Sequence, residues 1–465
     1  MNVVHDNGEF EVMTMTTPEL NATASLYPNP RLSSRPTVLI ATTSRWYPTA
    51  RLAMALASYG CVVEMLCPPG HPITKTVAAN KTYRYQGLAP LRSFAAAIRN
   101  SRPDLIIPGD DLAARQLHRL YDLGRKRGKT DSSICRVIER SLGPAESFPV
   151  AYTRSVFIDL ARQEGIRVPA TKAIANLDEL KDWIIRSGFP VVLKADGTSG
   201  GDGVRIVRTL EEAEQAFSLL QSPPQLLRAA KRALIDHDVT LVGPALLRRS
   251  FEMNAQAFVD GREATSAVAC WQGRVLAALH FEVIEKRSAA GPATVVRWIE
   301  NTDIATATEK MVRLLNLSGV HGFDFMLEEQ TGKAYLIEMN PRATQVGHLA
   351  LGPGRDIPAA LYAALSGKVP QSGPAVTEND TIALFPQEWI RDPESSFLRL
   401  AYHDIPWEEP EFVRDCVSNR RKQSAWYSRA NWSKSSAAVQ TPEKVSAPAK
   451  AYGVGTRVEG DSIAR

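Results

Sequence analysis

The segment GFDFMLEEQTGKAYLIEMNPR sets two carboxylates, Asp324 and Glu338, at equal distances from Thr331, inside the turn signal EEQTGK. A hairpin folded there puts Asp324 opposite Glu338, and the two-residue strand period puts Asn340 on the same face as Glu338. Three hard oxygen donors then converge. Such a set suits Mg²⁺, which takes one or two carboxylates together with phosphate oxygens and water, and the uncharged amide limits the negative charge offered to a polyphosphate. A solvent-facing strand with Glu338 paired to Arg342 is the competing reading, and the apolar flanks Leu336, Ile337 and Met339 argue against it.

A second chemical element stands earlier. Lys194 ends the apolar run FPVVLKAD and is followed by Gly197, Thr198, Ser199, Gly200, Gly201, Asp202 and Gly203. Glycines let backbone amides approach anionic oxygens, and a nearby ammonium offsets their charge. No GK[ST] closes the loop, and VRIV after it reads as a returning strand, so this is not the strand-to-helix phosphate loop of Walker type. Alone, the loop is equally well a hairpin with a surface lysine.

The elements that must position these groups alternate along the chain. Thr37 to Ala41, Cys61 to Cys67 and Asp104 to Pro108 read as strands and Ala50 to Tyr59 as a helix, which predicts a parallel α/β domain over residues 36–149. TVLIATTSRWYPTA contains no glycine after its strand, so dinucleotide binding is disfavoured there. Asp110 and Asp111 follow the third strand, either as a helix cap or at the carboxyl end where such sheets place ligands. Residues 150–370 read as a second, α+β domain, with a helix ending near Gly165, another from Leu177 to Ser187, strands between Phe251 and Ile299, and a last helix from Ile357 to Leu365. Residues 371–432 carry Trp389, Trp407, Trp426 and Trp432 and read as a folded appendage, since large aromatics bury much area. Residues 1–35 and 433–465 read as disordered tails.

Composition narrows the function classes. Fifty-five Lys and Arg against fifty Asp and Glu leave +5, too little for a nucleic-acid footprint unless clustered. The late cluster of Arg420, Arg421, Lys422, Arg429 and Lys434 reads as a solvated edge. Five cysteines without a CxxC pair suit reduced, buried thiols. Acidic residues near the start argue against an export signal, and no apolar run approaches the ~18 residues of a membrane span. A soluble cytoplasmic protein is expected, without nucleic-acid or membrane partners.

Together, FPVVLKADGTSGGDGV and IEMNPR resemble the ATP-grasp superfamily, in the biotin carboxylase and carbamoyl phosphate synthase style, from about Pro36 through Leu365. The resemblance implies an α/β fold: a Rossmann-like pre-ATP-grasp domain, then a two-lobed ATP-grasp domain that clasps ATP with Mg²⁺ or Mn²⁺. Residue by residue it implies that Lys194 contacts the phosphates, that Gly197, Ser199, Gly200 and Gly201 belong to a closing lid, and that Arg154 stands where the family has a further phosphate-contacting lysine. Gln256, Phe258 and Val259 would form the adenine hinge, Glu263 would reach the ribose, and Asp324, Glu338 and Asn340 would hold the metal. Arg342 matches the arginine that steadies the transferred phosphoryl group, so Arg342 and Lys194 form the catalytic set. Biotin carboxylases place a glutamate close behind that arginine, where this chain has Gly347 and His348; His348 and His321 are read as packed residues. The implied reaction is ATP-dependent activation of a small-molecule carboxylate as an acyl phosphate, captured by an amine or other nucleophile, with a homodimer as the candidate assembly. Its rivals are use of bicarbonate or carbamate in the manner of carbamoyl phosphate synthase, and a non-catalytic ATP sensor.

Overall fold

The computed structural model describes residues 34–129, 132–196, 203–221, 252–288, 291–369 and 373–418. Apart from residues 34 and 35, the expected tails lie outside the described residues, as do Gly197, Ser199, Gly200, Gly201, Trp426, Trp432 and the late basic cluster.

Short apolar runs near the amino terminus form a parallel sheet of β1 (Thr37–Ala41), β2 (Val62–Cys67), β3 (Lys81–Arg84) and β4 (Leu105–Pro108), in the order β3-β2-β1-β4. Helices α1 (Tyr47–Ser58) and α2 (Pro90–Ser101) carry the crossovers, and α3 (Asp111–Lys126) and α4 (Ser133–Leu142) follow. β1 and β4 are buried almost throughout, as strands covered on both faces must be. Strand order reverses between them, so the chain leaving β1 and the chain leaving β4 flank a crevice at the carboxyl edge. Gly109 makes their close approach feasible: a Cβ there would lie 2.6 Å from Thr49 Cγ2 and 3.1 Å from Thr42 Cβ.

Residues that follow build a small sheet. α5 (Arg154–Gln163) leads into β5 (Thr171–Ile174), α6 (Leu177–Ser187), β6 (Val191–Ala195), β7 (Val204–Val207), α7 (Leu210–Gln221) and β8 (Met253–Ala257), with strand order β5-β8-β6-β7. Period two divides its faces. Val191, Leu193, Ala195, Met253 and Ala255 pack under α6 and α7 with Trp183 and Phe217, which leaves Lys194, Asn254 and Gln256 on the other face.

The large sheet runs β13-β12-β9-β10-β11-β14-β15, from β9 (Gly261–Trp271), β10 (Arg274–Lys286), β11 (Ala293–Trp298), β12 (Gly319–Glu328), β13 (Ala334–Asn340), β14 (Thr381–Ala383) and β15 (Tyr402–His403). Phe323 and Phe325 of β12 are buried to 0% and 2% exposure, each contributing roughly 2–3 kcal/mol relative to an exposed ring. They pin the register, because a one-residue slip would turn them into the cleft and Asp324 into the core.

The segment expected as an appendage is built into this framework. β14 and β15 extend the large sheet, and one apolar core joins Val38, Ile40 and Leu56 of the amino-terminal region to Leu279, Phe281, Leu361, Ile382 and Phe412. Its anchor is Phe412, wholly buried and edge-on to Tyr47 at 5.9 Å, whereas Trp407 is 72% exposed and does not serve as the expected aromatic core.

Candidate functional site

Asp324 faces Glu338 across the β12–β13 pair, and Gly322 faces Asn340. Thr265, its neighbour on β9, donates to Asp324 Oδ1 at 2.9 Å, and Asn340 Nδ2 donates to Asp324 Oδ2 at 2.8 Å. Gly322 is required here, since a Cβ would lie 2.3 Å from Thr344 Cγ2 and push away the chain that carries Arg342. The Glu338–Arg342 pair of the competing reading does not form. Arg342 instead donates from Nε to Asp111 Oδ1 at 3.0 Å, from Nη2 to Asn340 Oδ1 at 3.1 Å and from Nη1 to the Ala343 carbonyl at 3.2 Å. The Trp46 indole lies under its guanidinium, 5.6 Å from ring centre to Cζ.

Asp110 and Asp111 thereby divide their roles. Asp110 caps α3 through Ala113 N at 2.8 Å and accepts the Thr42 and Thr43 hydroxyls at 2.6 and 2.9 Å. Asp111, one residue on, turns into the crevice. Asp111 thus takes the ligand-side place that the sequence offered as one of two readings, and Trp46 is a neighbour that motif reasoning left out, although its place after β1 at the carboxyl edge was the available signal.

The electrostatics of the two carboxylates are pushed apart. Burial, then the neighbouring Glu338, raises Asp324 to about 6 against its hydrogen bonds from Asn340 and Thr265. Burial opposes ionisation of Glu338 too, but Arg154 and Lys194 more than offset it, so this carboxyl stays below its ordinary value. Glu338 Oε2 accepts from Arg154, while Oε1 has no hydrogen-bond partner among the described residues. An open carboxylate oxygen beside a second acid and an amide fits a hard divalent cation. Among the described residues no group of three His, Cys, Asp or Glu stands placed to hold a metal ion.

Lys194 is only 6% exposed, and burial lowers its ammonium to about 8, against the pull of Glu338. Its cross-strand neighbour Asn254 is 1% exposed with neither amide atom hydrogen-bonded. A buried amide without partners is costly, and beside a buried ammonium it marks a place for a polar ligand. Asn254 is a further residue that the sequence reading passed over, although its alternation with Met253 and Ala255 was visible. The ammonium state governs a testable pH dependence: metal-free ADP affinity, measured by calorimetry from pH 7 to 10, is expected to fall once pH passes about 8, well below the ordinary lysine range. Lys194→Met should bind roughly tenfold or more weakly and lose that fall; a variant with the wild-type profile would remove Lys194 from the phosphate site.

Other expected contacts are only partly brought together. Phe258 and Val259 line a cleft of about 350 Å³ with Pro169, Ala257, Glu328 and Tyr335. Glu328 stands four strand residues, about 13 Å, from Asp324, a separation suited to a base at one end and phosphates at the other. Gln256 does not line it: its side chain is 2% exposed and donates to Thr171 Oγ1 at 3.0 Å. Glu263 pairs with Lys286 at 2.6 Å and borders a separate cleft of about 430 Å³. Arg154 turns to Glu338 and Asp196 at 2.7 and 3.1 Å. His321 donates from Nε2 to the Ser318 carbonyl at 2.8 Å, and the His348 side chain, 6% exposed, meets Asp404 at 2.6 Å, so both are packed residues.

Residues 154–351 match the sequence family described as the carbamoyl-phosphate synthase L chain, ATP binding domain. The chain carries an ATP-grasp domain. Its sequence relatives include the carbamoyl phosphate synthase large chains of Methanothermobacter thermautotrophicus, 22% identical over 269 residues, and Archaeoglobus fulgidus, 26% identical over 227. Those matches cover 55% and 47% of this chain but only 22% and 19% of the large chains. The ATP-grasp architecture recurs in the biotin carboxylase domain of Hydrogenobacter thermophilus 2-oxoglutarate carboxylase, solved with MgADP, ADP and bicarbonate (TM-score 0.51, 16% identity, 72% of this chain and 71% of that one). It recurs also in N5-carboxyaminoimidazole synthetase from Staphylococcus aureus (TM-score 0.52, 12% identity, 74% and 81% coverage). At these identities the likeness is one of fold. The ATP-grasp segment contains every expected catalytic and metal-binding residue, and the Asp111 that pairs with Arg342 lies outside it.

Proposed function

We propose that this chain is an ATP-dependent ligase that activates a carboxylate as an acyl phosphate for capture by an amine or other nucleophile, forming a C–N bond in the amine case. The observation that carries this reading is the convergence of Asp324, Glu338 and Asn340 with Arg342, whose guanidinium reaches the crevice of the amino-terminal sheet.

In this reading Asp324, Glu338 and Asn340 hold Mg²⁺ or Mn²⁺, which when bound offsets charge on the polyphosphate. Lys194 and Asn254 take phosphate oxygens, the 197–203 loop covers them, and the cleft of Phe258 and Val259 takes the base. Arg342 holds the carboxylate substrate in line with the terminal phosphorus. A carboxylate oxygen bonds to that phosphorus as its bond to the ADP oxygen breaks. The nucleophile then attacks the acyl carbon, phosphate leaves, and an amine gives up its proton. Exclusion of water protects the acyl phosphate between these steps.

Similarity to carbamoyl phosphate synthase large chains favours bicarbonate as a second candidate for the activated acid. A homodimer in the cytoplasm completes the proposal: the Hydrogenobacter structure is described as a dimer, and all five cysteines here are free and buried, as suits a reducing compartment. Among the described residues no helix is long and apolar enough to cross a membrane.

Incubation with Mg-ATP and pools of carboxylates, with bicarbonate alone in a parallel arm, tests the reading through phosphate release and hydroxylamine trapping. Hydroxamate from a carboxylate pool supports the ligase, and ADP formation confined to bicarbonate supports the second candidate. Tight ATP binding with neither product would leave a sensor.

A further inference from the structure

Asp111 and Arg115 stand one turn apart on the same face of α3, the spacing at which an acid and a base on a helix ordinarily pair. They do not pair. Asp111 gives Oδ1 to Arg342, and Arg115 lies instead over the face of Tyr152, its Cζ 4.6 Å from the ring centre. Asp110, the other acid at this end of α3, has both oxygens engaged by the Thr42 and Thr43 hydroxyls and the backbone N–H groups of Thr43 and Ala113. Among the described residues the Arg115 guanidinium therefore has an aromatic neighbour but no hydrogen-bond acceptor.

The ring beneath it is fixed from the other side. The Tyr152 hydroxyl meets His118 Nδ1 at 2.9 Å, and His118, 7% exposed, stacks on Phe148 with ring centres 3.9 Å apart. Burial lowers His118 to about 3, so it is neutral and brings no charge of its own. A guanidinium already held in place loses little further freedom on meeting an anion. Its position is in the crevice: Arg115 and Asp111 both act on the Tyr152 phenol, Asp111 holds Arg342, and Tyr152 is two residues from Arg154, which reaches Glu338.

We infer that Arg115 is a specificity residue that binds a spectator carboxylate, a group of the substrate that takes no part in bond making and is carried by the activated acid or by the capturing amine. This rests on the ligase reading proposed above. The planar fork of arginine offers a carboxylate two parallel N–H bonds, which a lysine cannot. Asp111 does little to repel such a group, because Arg342 matches its charge. Arg342 is left for the group that reacts.

Probes that differ by one carboxylate test the assignment. Thermal-shift titrations at saturating Mg-ADP compare succinate and glutarate with butyrate and valerate, and aspartate and glutamate with β-alanine and 4-aminobutyrate, for wild type, Arg115→Met and Arg115→Lys. Wild type is expected to bind at least one two-carboxylate probe about 10- to 100-fold more tightly than its match. Arg115→Met should erase that preference, and Arg115→Lys should keep a small part of it. A preference in the first series puts the spectator group on the acid, and one in the second puts it on the amine. Equal binding of matched probes by wild type, no binding of any two-carboxylate probe, or a preference unchanged in Arg115→Met would overturn the inference. Methionine keeps an apolar stem over Tyr152; should that variant fail to fold, the size of the preference in Arg115→Lys decides. An Arg115-dependent preference without phosphate release from Mg-ATP in the carboxylate pools would overturn the ligase reading rather than the carboxylate site.

Discussion

Arg342→Ala is expected to lower ATP-dependent acyl transfer by at least ~10²–10³-fold, the usual cost of removing one donor aimed at transition-state charge, while leaving ADP affinity within a few-fold of wild type. The asymmetry follows from geometry. Arg342 holds Asn340 on one side and Asp111 of the amino-terminal crevice on the other, which in the proposed reaction sets it between the metal carboxylates and the entering acceptor. Lysine at this position reaches one of those partners but not both, so Arg342→Lys should recover only a small part of the rate. Asp111→Asn removes the charge of the crevice partner and keeps its shape; it is expected to raise the KM for the carboxylate substrate or nucleophile more than it lowers kcat. Single-turnover phosphate release and calorimetry with ADP provide the comparison, and an alanine variant with unimpaired turnover would withdraw the role.

The second large effect concerns the acids themselves. Asp324→Asn combined with Glu338→Gln should abolish the strengthening of ADP binding by Mg²⁺ while sparing binding in EDTA, because two negative charges near the phosphates disappear along with the cation they hold. In wild type the same enhancement is expected to fade below about pH 6. Burial and Glu338 raise Asp324 to about 6, so below that value it carries a proton and loses the charge that attracts metal. A raised carboxyl also signals that its ionised form is strained in the folded chain. Stability from this group is therefore greater at low pH and falls as pH rises toward 6, and Asp324→Asn alone should raise the melting temperature of the ligand-free protein above pH 6. Mg²⁺ dependence that survives the double substitution would refute the site, and a lowered melting temperature in the single variant would refute the burden placed on Asp324.

Local pattern carried much of this site. The two-residue strand period sufficed to place Asp324 across from Glu338 and Asn340 beside it, because hairpin neighbours are near in sequence as well as in space. Three of the four strands in the amino-terminal sheet were legible to within a residue, because buried parallel strands are short apolar runs; the exposed, polar β3 offered no such run and was missed. What spacing does not encode is which distant side chain meets which. Arg342 finds Asp111 across 231 positions and Arg154 finds Glu338 across 184. Glu263 and Gln256 sit in strands whose alternation was visible, but their partners Lys286 and Thr171 were not. The segment after residue 371 misled through its tryptophans: its integration depends on a three-residue strand next to the sheet edge and on Phe412, neither of which makes a pattern. Residues 197–202 lie outside the described structure, so the glycine loop keeps the standing the sequence alone confers.

Asp404 carries a final implication for how this protein can be taken apart. It receives Arg51 from the first helix and His348 from the chain just beyond Arg342, all three nearly inaccessible to water. A fragment trimmed to residues 154–351 would retain each expected catalytic and metal-binding side chain yet lose Arg51, Asp404 and the β14 strand that covers the edge of β11 at Val295 and Val296. The recognisable segment is thus not an autonomous cassette. Recombining it with foreign flanks would sever the mooring of its own arginine loop, so new acceptor specificities are more accessible by changing crevice residues such as Trp46 than by exchanging whole modules.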